Sequence, residues 1–493
     1  MLLNKLISKE EIVNLVGDFN VDITNINSDS RKIKENGLFV AINGFTINGT
    51  EFISNAIENG AKAIIVEPDV DLNSLNFDKS ITIISVKNTR YALAYASCEF
   101  YDNPSRKLKL IGVTGTKGKT TSTFMIKSIL EEHGLNVGLI GSIAVYINKD
   151  KIEDTDRTTP ESFEIQKHLA NMVEKNVDVA IIEVSSQAMK LDRVTGCEFD
   201  VSLFTNLSED HISAKEHPNM EDYFNCKLEL IKNSKHGVIN NDDEIVSNIK
   251  NLLPNKDIKT FAIDNNADFK VNKESVIITD SYIDFSFQFN GKEEKVEAAI
   301  PGKFSIYNAI GAIGVCSFFG VTADEIRNAL KDLKVLGRSE LVPNKLGLTI
   351  MIDYAHTPSS LESILTAVRS YAKGRVICAW GVGGDRDAKK RPIMGEISGR
   401  LADYTVLMSD QVRTEDPLKI LKEIEVGIIP TGKPYKIIVD RTEGIKYAIS
   451  IAKKGDIIVI PGLGHDLYLE KNGVKYPYDE RKVIAKIIDE MIG

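Results

Sequence analysis

The sequence predicts an α/β protein of three domains in series, and three observations carry that expectation. At 493 residues the chain exceeds what one hydrophobic core ordinarily holds. Short apolar strands such as "AKAIIVE", "VDVAIIEVSS" and "DIIVIPG" alternate with helix-like stretches along its length. At "KLIGVTGTKGKTTSTFMIKSIL" a strand, a glycine-rich turn and a helix follow one another directly, as a parallel-sheet phosphate site requires.

The elements read in order as follows. Residues 1–104 alternate short strands ("GLFVAI", "AKAIIVE", "ITIISV") with helices and end at the polar, proline-containing "YDNPSRK". Residues 105–336 hold near-continuous apolar strands, "KLIGVTG", "NVGLIGS", "VDVAIIEVSS" and "FDVSLFTNL", suited to a parallel sheet covered by helices. The alternating stretch after "ADFK" reads as antiparallel hairpins with "NGK" as a turn. "AIGAIGVCSFFGV" is too short to span a bilayer and reads as a buried helix. Thr322 and Glu325 stand in capping-box spacing at the start of a further helix. Residues 337–493 repeat the α/β alternation through "LTIMIDYA", "GRVICAWG", "DYTVLMSD", "YKIIVD" and "DIIVIPG", a Rossmann-like pattern.

Composition excludes several functions. A net charge of -9 argues against broad nucleic-acid binding, and no membrane role is implied. The 5 cysteines are scattered without CxxC spacing, which favours a reduced, cytoplasmic protein over a disulfide or zinc framework. Acidic residues soon after the first apolar patch do not fit a secretory signal. A monomer is the default expectation.

In the segment Thr114, Gly115, Thr116, Lys117, Gly118, Lys119 and Thr120, the glycines let backbone N–H groups turn inward while the following helix adds its positive end. Lys119 would reach the terminal phosphates of ATP and the Thr120 hydroxyl would ligate Mg²⁺. A GTPase would carry an NKxD guanine reader, and no Asn-Lys pair here has Asp at the right place. Glu183, ending a parallel strand, could hold the Mg²⁺ at Thr120.

The segment "FTNLSEDHISAKEHPNMEDYFNCKLEL" resembles the Mur ligase family, within it the MurE branch that adds the third amino acid to the peptidoglycan precursor. The likeness extends from "DSR" through "GTKGKTT", "RTTPES", "EVSSQAM" and "GRSE" to "DYAHTPSSLE", "GGDRDAKKRP" and "PGLGHD", nearly the whole chain. It implies a UDP-sugar domain, an ATP domain and an amino-acid domain, acting on UDP-MurNAc-L-Ala-D-Glu, ATP and a free amino acid. It implies further that ATP phosphorylates a peptide carboxylate and that an amine then attacks the acyl phosphate. A carboxylate is a poor electrophile until one oxygen becomes a leaving group.

The resemblance also suggests roles for single residues. Lys227 matches a lysine carbamylated in this family, where the carbamate holds Mg²⁺, and His211 stands nearby as a positioning or metal group. Asn206 and Asp210 would shape the same loop. Asn308 fits an adenine-side asparagine, with Ser305 where a second asparagine is common. Asp353, Tyr354 and Arg338 resemble nucleotide contacts, and His356 could contribute to the closed site. Ser30, the loop Phe45, Thr46 and Ile47, and Thr158, Thr159, Ser185 and Arg193 match the lining for the UDP-muramoyl peptide. Gln187 replaces a common His and receives no role.

The incoming amino acid would meet Arg386, Asp410, Gln411, Arg413, Gly462 and Asp466. Diaminopimelate-adding relatives carry Asp-Asn-Pro-Arg where this chain has "DQVR": Arg413 is kept and could fork onto a distal carboxylate, while Val412 replaces a stiffening proline. Asp466 stands where a longer Glu is common. A diamino acid, lysine or diaminopimelate, is the expectation. The alternatives are a folylpolyglutamate synthase-like ligase, against which the first hundred residues argue, and a nucleotide-binding scaffold without catalysis.

Overall fold

The computed structural model describes residues 1–44, 47–70, 80–210, 212–213 and 216–492. These divide into two compact units, Met1–Lys270 with Ile310–Glu325, and Val271–Ala309 with Ile326 onward. The expected boundary after residue 104 falls inside the first unit and that after 336 inside the second. No helix among the described residues is long and apolar enough to cross a membrane.

The first unit opens with a five-stranded sheet in the order Ile12–Val16, Thr82–Val86, Ala61–Val66, Gly37–Val40, Asn25–Asn27. Only the edge strand Ile12–Val16 is antiparallel. Successive strand residues face opposite sides, so Leu38, Val40, Ala63 and Ile65 enter one core while Phe39 and Ile64 enter another. The helix Thr89–Phe100 covers the first face, capped by the Asn88 side chain, which accepts from the Arg90 and Tyr91 N–H groups.

Next comes the phosphate-site sheet. Asp257–Ala262, Ser234–Asn240, Phe199–Phe204, Lys109–Thr114, Val179–Glu183 and Val137–Ile140 run parallel in that order, followed by the antiparallel Ala144–Ile147 and Asp150–Asp154. In register, Glu183 lies beside Val113 and Phe204 beside Thr114, so three strands end at one level. Their carboxyl ends are where an open α/β sheet binds ligands. The capping box forms as expected: Thr322 N donates to Glu325 Oε2 at 2.7 Å and Glu325 N to Thr322 Oγ1 at 3.3 Å.

In the second unit Ile283–Phe289 and Lys292–Ala298 form an antiparallel hairpin. Asn290 and Gly291 turn it with φ of 49° and 77°, both left-handed, which is the turn an Asn-Gly pair favours. A six-stranded sheet follows: Glu340–Leu341, Thr349–Asp353, Ile457–Pro461, Val376–Trp380, Tyr404–Leu407, Tyr435–Ile437. All its neighbours are parallel except the first pair. Alternation again supplies two cores, Met351, Cys378 and Val459 on one face and Ile350, Ile352, Ile377 and Ile458 on the other. Two elements absent from the sequence reading complete the unit. One is the edge strand Glu340–Leu341; the other is a hairpin of Tyr468–Lys471 with Val474–Pro477.

Candidate active site

The strand Lys109–Thr114 delivers the phosphate loop, and Gly118, with φ 84°, starts the helix Lys119–Glu132. Gly115 has φ 144°, and a Cβ there would stand 1.9 Å from Thr205 Oγ1. No side chain fits. The loop is clamped from the neighbouring strand end: Asn206 Oδ1 accepts from Lys117 N and its Nδ2 donates to Lys117 O, both at 3.0 Å. Thr205 Oγ1 also donates to Lys117 O, at 2.6 Å. Thr116 Oγ1 lies 3.2 Å from the Tyr223 hydroxyl.

Glu183 is fully buried and aimed at Thr120, whose Oγ1 donates to Oε2 at 3.0 Å. Ser142 anchors the carboxylate with its N–H on Oε1 and its hydroxyl on Oε2, each at 3.0 Å. Ser142 Oγ also lies 3.1 Å from Thr158 Oγ1, so its one hydroxyl proton is shared between Glu183 and Thr158. Gly141 keeps room for the group, since a Cβ there would lie 2.3 Å from Oε1. Two aligned oxygens, Thr120 Oγ1 and Glu183 Oε2, suit a hard cation.

Lys227 projects from the helix Met220–Asn233 and is 1% exposed. Its Nζ donates to Gly115 O at 2.8 Å, and Lys119 Nζ donates to the same oxygen at 2.9 Å. Burial, reinforced by the Lys119 charge, holds the Lys227 amine well below the usual lysine pKa. Lys119 reaches Thr116 O as well, at 3.1 Å.

The expected peptide-lining residues gather nearby in the same unit. Thr159 Oγ1 donates to Glu183 O at 2.8 Å and accepts from Ser185 N at 3.0 Å. Ser185 caps the helix Ser186–Lys190. Arg193 donates to Thr159 O at 3.2 Å and pairs with Glu161 at 3.1 Å. Ser30 is buried at the start of a short 3₁₀ turn, with Asn59 donating to its carbonyl. Ile47 is exposed, while Phe45, Thr46 and His211 lie outside the described residues.

Sequence reasoning missed a second histidine. His217 is fully buried, with Nδ1 2.6 Å from Asp222 Oδ2 and Nε2 2.8 Å from Ser186 Oγ. It ties the loop before Met220 to the Ser185 helix. A lone His in a polar segment gave no signal of this.

The second unit holds the remaining residues. Asp353 closes a turn, accepting from Ser339 N at 2.7 Å and Ala355 N at 2.9 Å. The Arg338 guanidinium lies 4.6 Å over the Tyr354 ring, which also meets His356 and His465. Asn308 and Ser305 are buried on the helix Lys303–Cys316, and the Ser305 hydroxyl donates to Pro301 O at 3.1 Å.

Asp410, Gln411, Arg413, Gly462 and Asp466 meet around one loop. Gln411 Nε2 donates to Asp466 Oδ2 at 2.7 Å. Burial and the nearby Asp410 push the Asp466 carboxyl up to about 6. Gly462, φ 125°, admits the Asp410 carboxylate, which a Cβ would approach to 2.3 Å. Arg413 donates to Gly384 O at 2.6 Å, which places its guanidinium on the "GGDRD" loop that carries the exposed Arg386. Beneath Asp410 the buried Arg441 donates to Ser409 O at 2.9 Å, lies 3.6 Å from Asp410, and pairs with the buried Glu480 at 2.7 Å.

A phosphate loop beside the buried Glu183 carboxylate and the buried Lys227 amine, in a sequence with no guanine reader, suits phosphoryl transfer to an organic acid. The fold and site thus define the class of ATP-dependent ligases. Family comparison agrees at each region: residues 22–101 match the Mur ligase family catalytic domain, 113–316 the Mur ligase middle domain, and 337–464 the Mur ligase glutamate ligase domain. The UDP-N-acetylmuramoyl-L-alanyl-D-glutamate–2,6-diaminopimelate ligase of Clostridium tetani is 45% identical over 494 residues, covering 100% of both chains. Its Clostridium botulinum counterpart is 44% identical over 95% of this chain and 96% of its own. A solved diaminopimelate ligase of the same description superposes with a TM-score of 0.68 at 27% identity, over 97% of each chain. The chain belongs to the Mur ligase family. Folylpolyglutamate synthase from Mycobacterium tuberculosis shares the fold at a TM-score of 0.62 and 17% identity, over 76% of this chain.

Proposed function

We propose that this protein is the ligase that adds 2,6-diaminopimelate to UDP-MurNAc-L-Ala-D-Glu with the consumption of ATP. The observation that carries this reading is 45% identity, over the full length, to a ligase named for that acceptor. The retained Arg413 supports it, because its guanidinium, already bonded to Gly384 O and Glu470, can fork a further donor onto a distal carboxylate of the acceptor.

The γ-phosphoryl group passes to a carboxylate oxygen of the D-glutamyl residue, leaving ADP. The acceptor amine attacks the acyl carbon, the amide bond forms, phosphate departs and the amine releases a proton. Lys119 steadies the transferring phosphoryl group; Thr159, Ser185 and Arg193 line the peptide; Arg386, Arg413 and Asp466 hold the amino acid. Residues 1–104 serve the UDP-sugar, 105–336 the nucleotide and 337–493 the amino acid, in the cytoplasm.

Thr120 and Glu183 offer the oxygens a Mg²⁺ needs, and the ion would neutralise charge on the transferring phosphate. Lys227 as an ammonium cannot ligate it. Its buried amine, held neutral more readily than an exposed lysine, can add CO₂ with loss of one proton, and the resulting carbamate is an anionic ligand.

The test is phosphate release with UDP-MurNAc-L-Ala-D-Glu, ATP and a panel of diaminopimelate isomers, lysine and ornithine. Release with a diaminopimelate isomer and little with the others is expected. Equal release with lysine would refute the acceptor, and none with any amine would refute the ligase.

A further inference from the structure

We propose that Glu470, with the hairpin that carries it, positions Arg413 to read the distal carboxylate of the acceptor; this rests on the diaminopimelate reading above. Arg413 has φ 51°, a left-handed conformation that a non-glycine residue adopts only when its surroundings hold it there. The preceding Val412 lacks the ring that would fix the chain at that point. The restraint comes from across the fold. Arg413 N donates to Glu470 O at 3.0 Å and Asn472 N to Arg413 O at 2.8 Å, which makes a parallel bridge between Arg413 and Lys471.

The side chain is held at the same place. Arg413 Nε lies 3.4 Å from Glu470 Oε2, and Nη1 donates to Gly384 O at 2.6 Å. Among the described residues Nη2 makes no hydrogen bond, so the guanidinium is fixed on two sides with donors left for a ligand carboxylate. The hairpin is itself stiff: Asn472 and Gly473 turn it at φ of 50° and 75°, the left-handed pair of a tight two-residue loop. It begins just after Asp466, whose carboxylate accepts from Gln411. One segment, residues 466–477, thus supplies a carboxylate to the acceptor site and sets the arginine opposite it.

A double-mutant cycle tests this with wild type, E470A, R413A and the double variant, each assayed by phosphate release with diaminopimelate and checked by thermal melting. E470A is expected to raise KM for diaminopimelate about tenfold, with kcat and KM for ATP within about twofold, and to add nothing in the R413A background. E470Q, which keeps an acceptor oxygen for Nε–H, is expected to recover part of the loss. An E470A effect undiminished by R413A, or one equally large on KM for ATP, would overturn the proposal. Wild-type turnover of lysine but not diaminopimelate would instead overturn the acceptor reading itself, a result separable from a failed cycle.

Discussion

Replacing Ser142 with alanine strips the Glu183 carboxylate of one hydrogen bond, that from Ser142 Oγ at 3.0 Å, and leaves those from Ser142 N and Thr120 Oγ1. A bond to a buried charged acceptor contributes about 1.5–3 kcal/mol. If all of it serves to hold Glu183 for the cation, the loss is roughly 10- to 150-fold. The remaining N–H still fixes Oε1, so the lower end, about 10- to 30-fold, is the expectation. It would appear as a higher Mg²⁺ concentration for half-maximal phosphate release. Gly141→Ala perturbs the same group from the other side: its Cβ would stand 2.3 Å from Oε1, so the carboxylate must move by about an ångström, worth on the order of 100-fold in rate. If S142A titrates with Mg²⁺ as wild type does, and G141A keeps full activity, Glu183 does not hold the ion.

Arg413→Ala should raise KM for diaminopimelate about 10- to 100-fold while leaving any residual lysine turnover unchanged, measured by phosphate release. Because Asp466 is pushed up to about 6, its carboxylate charges only above that pH; KM for the acceptor should therefore rise below about pH 6, and D466N should flatten the profile. The same raised pKa means Asp466 lends stability below its unfolded pKa and loses it as pH climbs through about 6. Lys227 has the opposite sign: its folded pKa is lowered, so the unfolded chain binds more protons and stability rises with pH up to the unfolded lysine value. In CO₂-free buffer, denaturant titrations should show wild type gaining on Lys227→Met between neutral and alkaline pH, and added bicarbonate should restore activity to wild type alone.

Local chemistry was legible where neighbours in sequence are neighbours in space. The turn at Asn290 and Gly291, the box at Thr322 and Glu325, and the loop from Gly115 to Thr120 all form within a few residues, so spacing alone predicts them. Ser142 was invisible because it reaches Glu183 only through the order of parallel strands, the two lying 41 positions apart along the chain. Glu470 and Arg413 are 57 apart and meet through a hairpin whose residues are half-buried or exposed and carry no clear period. The edge strand Ile12–Val16 escaped for a related reason: Val13 and Val16 are exposed, so the apolar pattern does not report one buried face.

The buried contact between Arg441 and Glu480 bears on how this enzyme could be re-engineered. Glu480 opens the final helix, and the arginine it neutralises supports Ser409 and Asp410 from below. Transplanting "DQVR" into a sister enzyme, or exchanging it for a lysine-type sequence, would therefore carry over only the visible half of a two-storey assembly. Removing Glu480 itself would leave the arginine with only Asp410, 3.6 Å away, as counter-charge, a defect of about 3–5 kcal/mol. The acceptor loop is not a portable cassette: swaps that move residues 409–413, 441 and 480 together should keep the support beneath Ser409 and Asp410, and swaps of the loop alone should lose acceptor affinity.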